Sequence, residues 1–163
     1  PNARNLNRDF AYGDGSRNQL AHWSEVGLLS GAPADNAPAV PVAYDASSGG
    51  IAARARAYLD VNCAHCHNPE GPGHTSGLDL RWSQNEPVRW GVFKRPVAAG
   101  RGSAGYAYAI EPGHPERSIL MHRMESSDPG VMMPETGRQL VDQRAIALMR
   151  DWIAGMDRNG EMR

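Results

Sequence analysis

Residues 60–73 read DVNCAHCHNPEGPG and hold both cysteines of the chain. Cys63 and Cys66 are two residues apart, and His67 follows at once. Three chemistries use cysteines at this spacing. A structural zinc site needs four ligands in tetrahedral array. Here the two Cys and one or two nearby His supply three, and no second C-x-x-C or H-x-x-x-H pair completes the set. A thioredoxin-like dithiol needs the pair to open a helix within a βαβ setting. In this chain a helical pattern precedes the pair and no strand pattern surrounds it. The third chemistry is covalent haem, for which C-x-x-C-H is the attachment signature. Two thiols about one helical turn apart reach two vinyl groups on neighbouring porphyrin edges, and the next imidazole points at the iron. On that reading Cys63 and Cys66 are the thioether anchors, His67 is the proximal ligand and His65 is a spacer.

Composition agrees with a chain that wraps something large. The 163 residues suit one domain. Apolar residues make up 40%, but there are only two Phe and five Tyr beside four Trp, so a buried macrocycle would replace missing aromatic volume. The 18 Gly and 12 Pro predict long ordered loops. A net charge of −1 argues against a nucleic-acid binder, which carries a basic face. No run of about 18 apolar residues is present, so no membrane span is expected. No signal peptide is visible, and the chain begins at Pro1, which predicts a mature domain of a longer protein. Thioether attachment takes place outside the cytoplasm, so the expected location is periplasmic or extracellular, in a bacterium.

Working outward, residues 51–62 (IAARARAYLDVN) form a predicted helix with Ile51, Ala55, Tyr58 and Leu59 on one face. Residues 16–31 predict a shorter helix capped by Ser16 and ended by Gly31. Residues 32–50, rich in Pro, Ala and Gly, predict an extended connector. Residues 1–50 are therefore expected to be an N-terminal extension packing on a core of residues 51–163. Residues 68–113 predict turns, with a short strand at 106–110. Residues 114–124 predict a helix with Pro115 in its first turn. Residues 140–156 give the clearest helix, with Val141, Ala145, Leu148, Met149, Trp152 and Ile153 in one apolar stripe.

A sixth iron ligand is sought next. A thioether raises the potential by stabilising ferrous iron. In GVMMPETG, Met133 precedes Pro134, whose ring fixes the backbone after it, and Met132 is the second choice. Met121, Met124, Met149 and Met156 read as core filler. His22, His74, His114 and His122 are the competing bis-His candidates. The other ring nitrogen of His67 should donate to a carbonyl, with Pro69 or Pro72 close enough in sequence. Haem propionates need charged or indole donors, for which Arg81, Trp82, Arg89, Trp90 and Arg101 are candidates. A solvated surface charge is the alternative for each Arg. From Arg81 to Arg101 five basic residues face one acid, Glu86, an excess that would steer an acidic partner.

The order of these elements resembles a class I cytochrome c. A closer resemblance covers residues 51–156. GLDLR at 77–81, IEPGHPERSIL at 110–120, MPETG at 133–137 and ALMRDWIAGM at 147–156 are similar to cytochrome c modules of large secreted bacterial proteins. NLNRDFAYGDGSRNQLAHW at 5–23 resembles the segment before the haem motif in one such group, some members of which are associated with polysaccharide oxidation. The resemblance implies a mainly α class I cytochrome c fold with one haem c and its iron. It also implies Cys63 and Cys66 as anchors, His67 as proximal ligand and Met133 as distal ligand. Glu135 departs from the pattern, because many relatives carry a second proline there, and this implies a less rigid Met loop.

The function expected is transfer of single electrons without bond chemistry, by a monomeric domain. Its redox partner would be another cytochrome, a membrane quinol oxidiser or a secreted copper-dependent polysaccharide monooxygenase. The alternative is a haem enzyme or gas sensor with a labile sixth site, peroxidase-like, using Glu135, His114 or His122 as acid–base groups. A zinc-stapled binding module is the third reading.

Overall fold

The computed structural model describes residues 2–32 and 38–162. The chain divides into two compact units, Pro1–Pro41 and Val42–Arg163, a boundary earlier than the one expected after residue 50.

In the first unit, α1 (Ala3–Leu6) leads into β1 (Asp9–Tyr12), β2 (Gly15–Asn18) and α2 (Gln19–Glu25). The strands form an antiparallel hairpin that pairs Asp9 with Asn18 and Tyr12 with Gly15. This corrects the helix expected from Ser16. Gly13, Asp14 and Gly15 are turn formers, so the chain reverses there and Ser16 is consumed by the second strand. The cap moves to Asn18, whose Oδ1 accepts from the Ala21 N–H at 3.1 Å. Of the connector expected over 32–50, residues 33–37 lie outside the described residues.

Residues 42–50 belong to the second unit and are not extended throughout. Asp45 caps a 3-10 turn, Ala46–Ser48, by accepting from the Ser47 N–H at 2.9 Å. Arg54 then donates to the Gly49 and Ala43 carbonyls, which fastens this turn to α3 (Ile51–Asn62). The predicted and observed limits of α3 coincide. Its Ala55, Tyr58 and Leu59 are buried, and Ile51 is half-buried.

The other helices of this unit are α4 (Pro87–Trp90), α5 (Ile119–Glu125) and α6 (Gln143–Ala154). α6 starts where Asp142 accepts from the Arg144 and Ala145 N–H groups, both at 3.1 Å. Ala145, Leu148, Met149, Trp152 and Ile153 of the expected stripe are buried, while Val141 precedes the helix and is half-buried. α3 and α5 both pack on α6, and Tyr58 and Trp152 share one core cluster with Leu59, Met121 and Met149. α5 begins later than the predicted helix at 114, because Pro115–Arg117 form a separate 3-10 turn. The strand expected at 106–110 is reduced to isolated bridges, Val92 with Ile110 and Tyr108 with Ser118.

The long loop after the cysteine motif is tied down by two buried polar residues of α3. Arg56 donates to the carbonyls of Arg81 at 2.7 Å and Gln84 at 3.1 Å, and stacks 4.2 Å over the Trp90 ring. Asp60 accepts from the Trp82 N–H at 2.8 Å. Burial pushes the Arg56 guanidinium down to about 10 against the attraction of Asp60 and Asp79, so it remains charged at neutral pH. Among the described residues no helix is long and apolar enough to cross a membrane.

Candidate functional site

The last turn of α3 runs directly into the motif. The N–H of Cys63 donates to the Leu59 carbonyl at 2.9 Å. The Cys63 carbonyl then accepts from Cys66 at 3.1 Å and from His67 at 2.9 Å. The chain thus makes one more tight turn, which carries Cys63, Cys66 and His67 as a unit. Both thiols are free and partly buried, with Cys63 against the core cluster, whereas His65 is exposed, as a spacer would be.

His67 is fixed from behind. Its Nδ1 lies 3.0 Å from Ser76 Oγ, and that hydroxyl donates to the Gly73 carbonyl at 2.7 Å. The Ser76 proton is committed to Gly73, so Nδ1 carries the proton and Nε2 is left as the acceptor. The Gly73 backbone is also a direct partner of the ring. The partners expected at Pro69 or Pro72 are therefore replaced by Gly73 and Ser76. The reason is a close approach: a Cβ on Gly73 would lie 3.0 Å from Nδ1, and one on Gly71 would lie 2.3 Å from the Cys66 carbonyl oxygen. The glycines of PEGPG let the loop fold back under the imidazole.

Burial, aided by the Arg123 charge, pushes His67 down from its ordinary value, against the Gly73 hydrogen bond and the Glu135 charge. The imidazole is neutral at neutral pH, the form that binds a metal. Burial, aided by Cys66, pushes the Cys63 thiol up to about 12. Such a thiol is not a poised nucleophile or a ready thiolate. Among the described residues no three His, Cys, Asp or Glu side chains cluster as ligands for an ion.

Arg123 and Glu135, which bracket the segment 123–135, both act electrostatically on His67. Met132 and Met133 both lie there, and both are half-buried. The Met133 N–H donates to the Arg123 carbonyl at 2.9 Å, and the Met133 carbonyl accepts from Arg138 at 3.0 Å. Met121, Met124, Met149 and Met156 are buried in the core, as filler would be.

The other candidates are dispersed. Arg81 is clamped on the buried Asp79 through Nε at 2.8 Å and Nη2 at 2.7 Å. Arg101 pairs with Asp128 at 3.1 Å, and Arg89 with Glu86 at 3.7 Å. Arg81 and Arg101 are thus already matched by carboxylates. Trp82 is half-buried, held by its backbone to Asp60, and the Trp90 indole donates to the Gln84 carbonyl at 2.9 Å. His74 is tied to the Gly71 carbonyl at 2.9 Å and His114 to Glu116 at 3.1 Å. His122 is half-buried beside the Tyr106 ring.

Ser76, Arg123 and Arg138 enter the site without a sequence signal. Each acts through a backbone carbonyl or a ring nitrogen brought to it by a loop, and residue type alone does not mark that. No protein-family model, curated protein or solved structure matches this chain.

Proposed function

We propose that the second unit is a mono-haem c-type cytochrome module of class I type, which passes single electrons to a redox partner outside the cytoplasm. The observation that carries this reading is the state of His67. It follows a C-x-x-C pair directly, its Nδ1 lies 3.0 Å from the Ser76 hydroxyl, which itself donates to Gly73, and burial favours its neutral form, so that Nε2 would be the nitrogen free for a metal. Cys63 and Cys66 would hold the group by thioethers, which use thiols that need not ionise in the folded protein. Met133 is the proposed ligand on the other side, from the segment bracketed by Arg123 and Glu135, which both act electrostatically on His67. A haem held there supplies a one-electron ferric/ferrous couple. Cys63 and Cys66 would anchor it, and His67, oriented by Ser76, would hold its iron. No bond of a substrate is made or broken in this role.

Among the described residues the exposed Arg95 forms no ion pair, and its charge suits an acidic partner such as another cytochrome or a secreted copper oxygenase.

The test is the absorption spectrum of the protein, produced with haem maturation available, oxidised and then dithionite-reduced. Sharp ferrous α and β bands with a far-red ferric sulfur-to-iron band are expected. Haem bands that lack the far-red band and respond to carbon monoxide would instead favour the haem enzyme or gas sensor. A colourless, zinc-loaded protein would end both readings.

A further inference from the structure

The segment between α5 and α6 has little regular structure, yet two arginines hold much of its backbone. Arg123 Nε donates to the Val131 carbonyl at 2.9 Å, and the Arg123 carbonyl accepts from the Met133 N–H. The Arg123 side chain is only 19% exposed, ion-pairs loosely with Glu135 at 3.8 Å, and lies against Gly102, where a Cβ would sit 3.2 Å from Cζ. Arg138 donates from Nη1 to Met124 at 2.6 Å and to Met133 at 3.0 Å, and from Nη2 to the Ser126 carbonyl. The Met124 and Ser126 carbonyls lie at the C-terminal end of α5, where helical carbonyls lack partners and a cation is favoured. A planar guanidinium holds its donors in one rigid fork, whereas an ammonium carries its three on a flexible stem.

We propose that the Arg138 guanidinium, together with the Arg123 main-chain carbonyl, forms a two-point clamp on the Met133 backbone, Arg138 holding its carbonyl and the Arg123 carbonyl its N–H, and that this clamp sets how firmly the Met133 sulfur binds iron. The inference rests on the haem reading above. The clamp offsets the rigidity lost where Glu135 stands at the second position after Met133. Arg138 is a positioning residue. It is not proposed to touch the iron.

The test uses the haem-loaded protein and the variants Arg138→Gln and Arg138→Lys. Arg150→Gln is the control, because it breaks only the exposed ion pair with Glu125. Three quantities are read: the far-red sulfur-to-iron absorbance, cyanide affinity of the ferric protein, and amide hydrogen exchange of Met132 and Met133.

In Arg138→Gln, covalent haem content is retained and the far-red band weakens. Cyanide binds about tenfold more tightly or better, and exchange at Met133 accelerates by a similar factor, the scale of effect seen for outer-shell partners. Arg138→Lys recovers part of each, and Arg150→Gln moves none. Should Arg138→Gln fail to fold, Arg138→Lys alone must show the same changes in smaller measure. Faster exchange with an unchanged far-red band and cyanide affinity would overturn the clamp's link to iron while leaving the haem reading intact. A wild-type protein without haem bands would sink the haem reading itself, and the proposal with it.

Discussion

The His67 imidazole and the Ser76 hydroxyl meet at 3.0 Å, and the hydroxyl in turn donates a hydrogen bond to the Gly73 carbonyl at 2.7 Å. This relay makes His67 Nδ1 a donor and leaves its lone pair on Nε2. An acceptor on Nδ1–H makes the imidazole a stronger electron donor, which favours ferric iron. Ser76→Ala should therefore raise the reduction potential, with the ferric preference falling by about tenfold, the low end for such partners. The Gly73 carbonyl remains as a partial substitute. Potentiometric titration of both proteins checks this, and a lower potential in Ser76→Ala would contradict the assigned tautomer.

Met132 and Met133 are equally half-buried, so exposure does not choose between them. Their backbones differ: Met133 is held on both its N–H and its carbonyl side, whereas the Met132 N–H is bonded to the Asp128 carbonyl within the same loop, which favours Met133 as the proposed ligand. Met133→Ala should abolish the far-red band, lower the potential and let cyanide bind without displacing sulfur. Met132→Ala should leave all three close to wild type. The reverse pattern would shift the ligand register by one.

The covalent claim is separable from the axial one. Cys63→Ala with Cys66→Ala should remove every thioether, so acid–acetone extraction should strip all haem from the double variant and none from the wild type. Haem that stays with the double variant after extraction would refute attachment through these residues.

α3 and α6 are legible in the sequence because each carries its own local signal, whereas α4 lies in the stretch read as turns. α3 has small and apolar residues on one face, and α6 has an aspartate cap and a full apolar stripe, so both appear where periodicity puts them. The hairpin at Asp9–Asn18 is hidden by the helical spacing of Leu20 and Trp23, which masks the turn made by Gly13, Asp14 and Gly15. The motif Cys63–His67 was legible from spacing alone. Its supports were not, since Ser76, Gly73, Arg123 and Arg138 act by loop closure, and no period or spacing records which carbonyl a loop will deliver. Arg81 and Arg101 looked free in sequence because their partners, Asp79 and Asp128, are recognised only in three dimensions.

Asp79 is a buried carboxylate gripped by Arg81 through two nitrogens. The Arg81 hydrogen bonds, outweighing burial, hold its carboxyl below the ordinary value of 3.8. A depressed folded value means that stability from this pair is present above the unfolded value and is lost as pH falls through the folded one. Asp79→Asn should cost about 1–2 kcal/mol at neutral pH. The gap in melting temperature between wild type and variant should hold above about pH 5 and close below about pH 4. A gap that persists unchanged into stronger acid would show that Asp79 contributes by shape rather than by charge.

Asp142 does two things at the start of α6: it caps the helix through the Arg144 and Ala145 N–H groups and accepts from the Tyr44 hydroxyl. Arg144 in turn stacks 4.1 Å from the Tyr44 ring centroid, so the cap also fastens residues 42–50 to the last helix. The two roles predict different costs. Asp142→Ala loses the cap and the tyrosine contact together and should destabilise by about 1–2 kcal/mol. Tyr44→Phe keeps the cap and the ring and loses only one partly exposed hydrogen bond, worth about 0.5–1 kcal/mol. Asp142→Asn preserves capping and should fall between them. Denaturant unfolding of the three variants orders them, and an Asp142→Ala no less stable than Tyr44→Phe would mean that α6 is held by its apolar stripe alone.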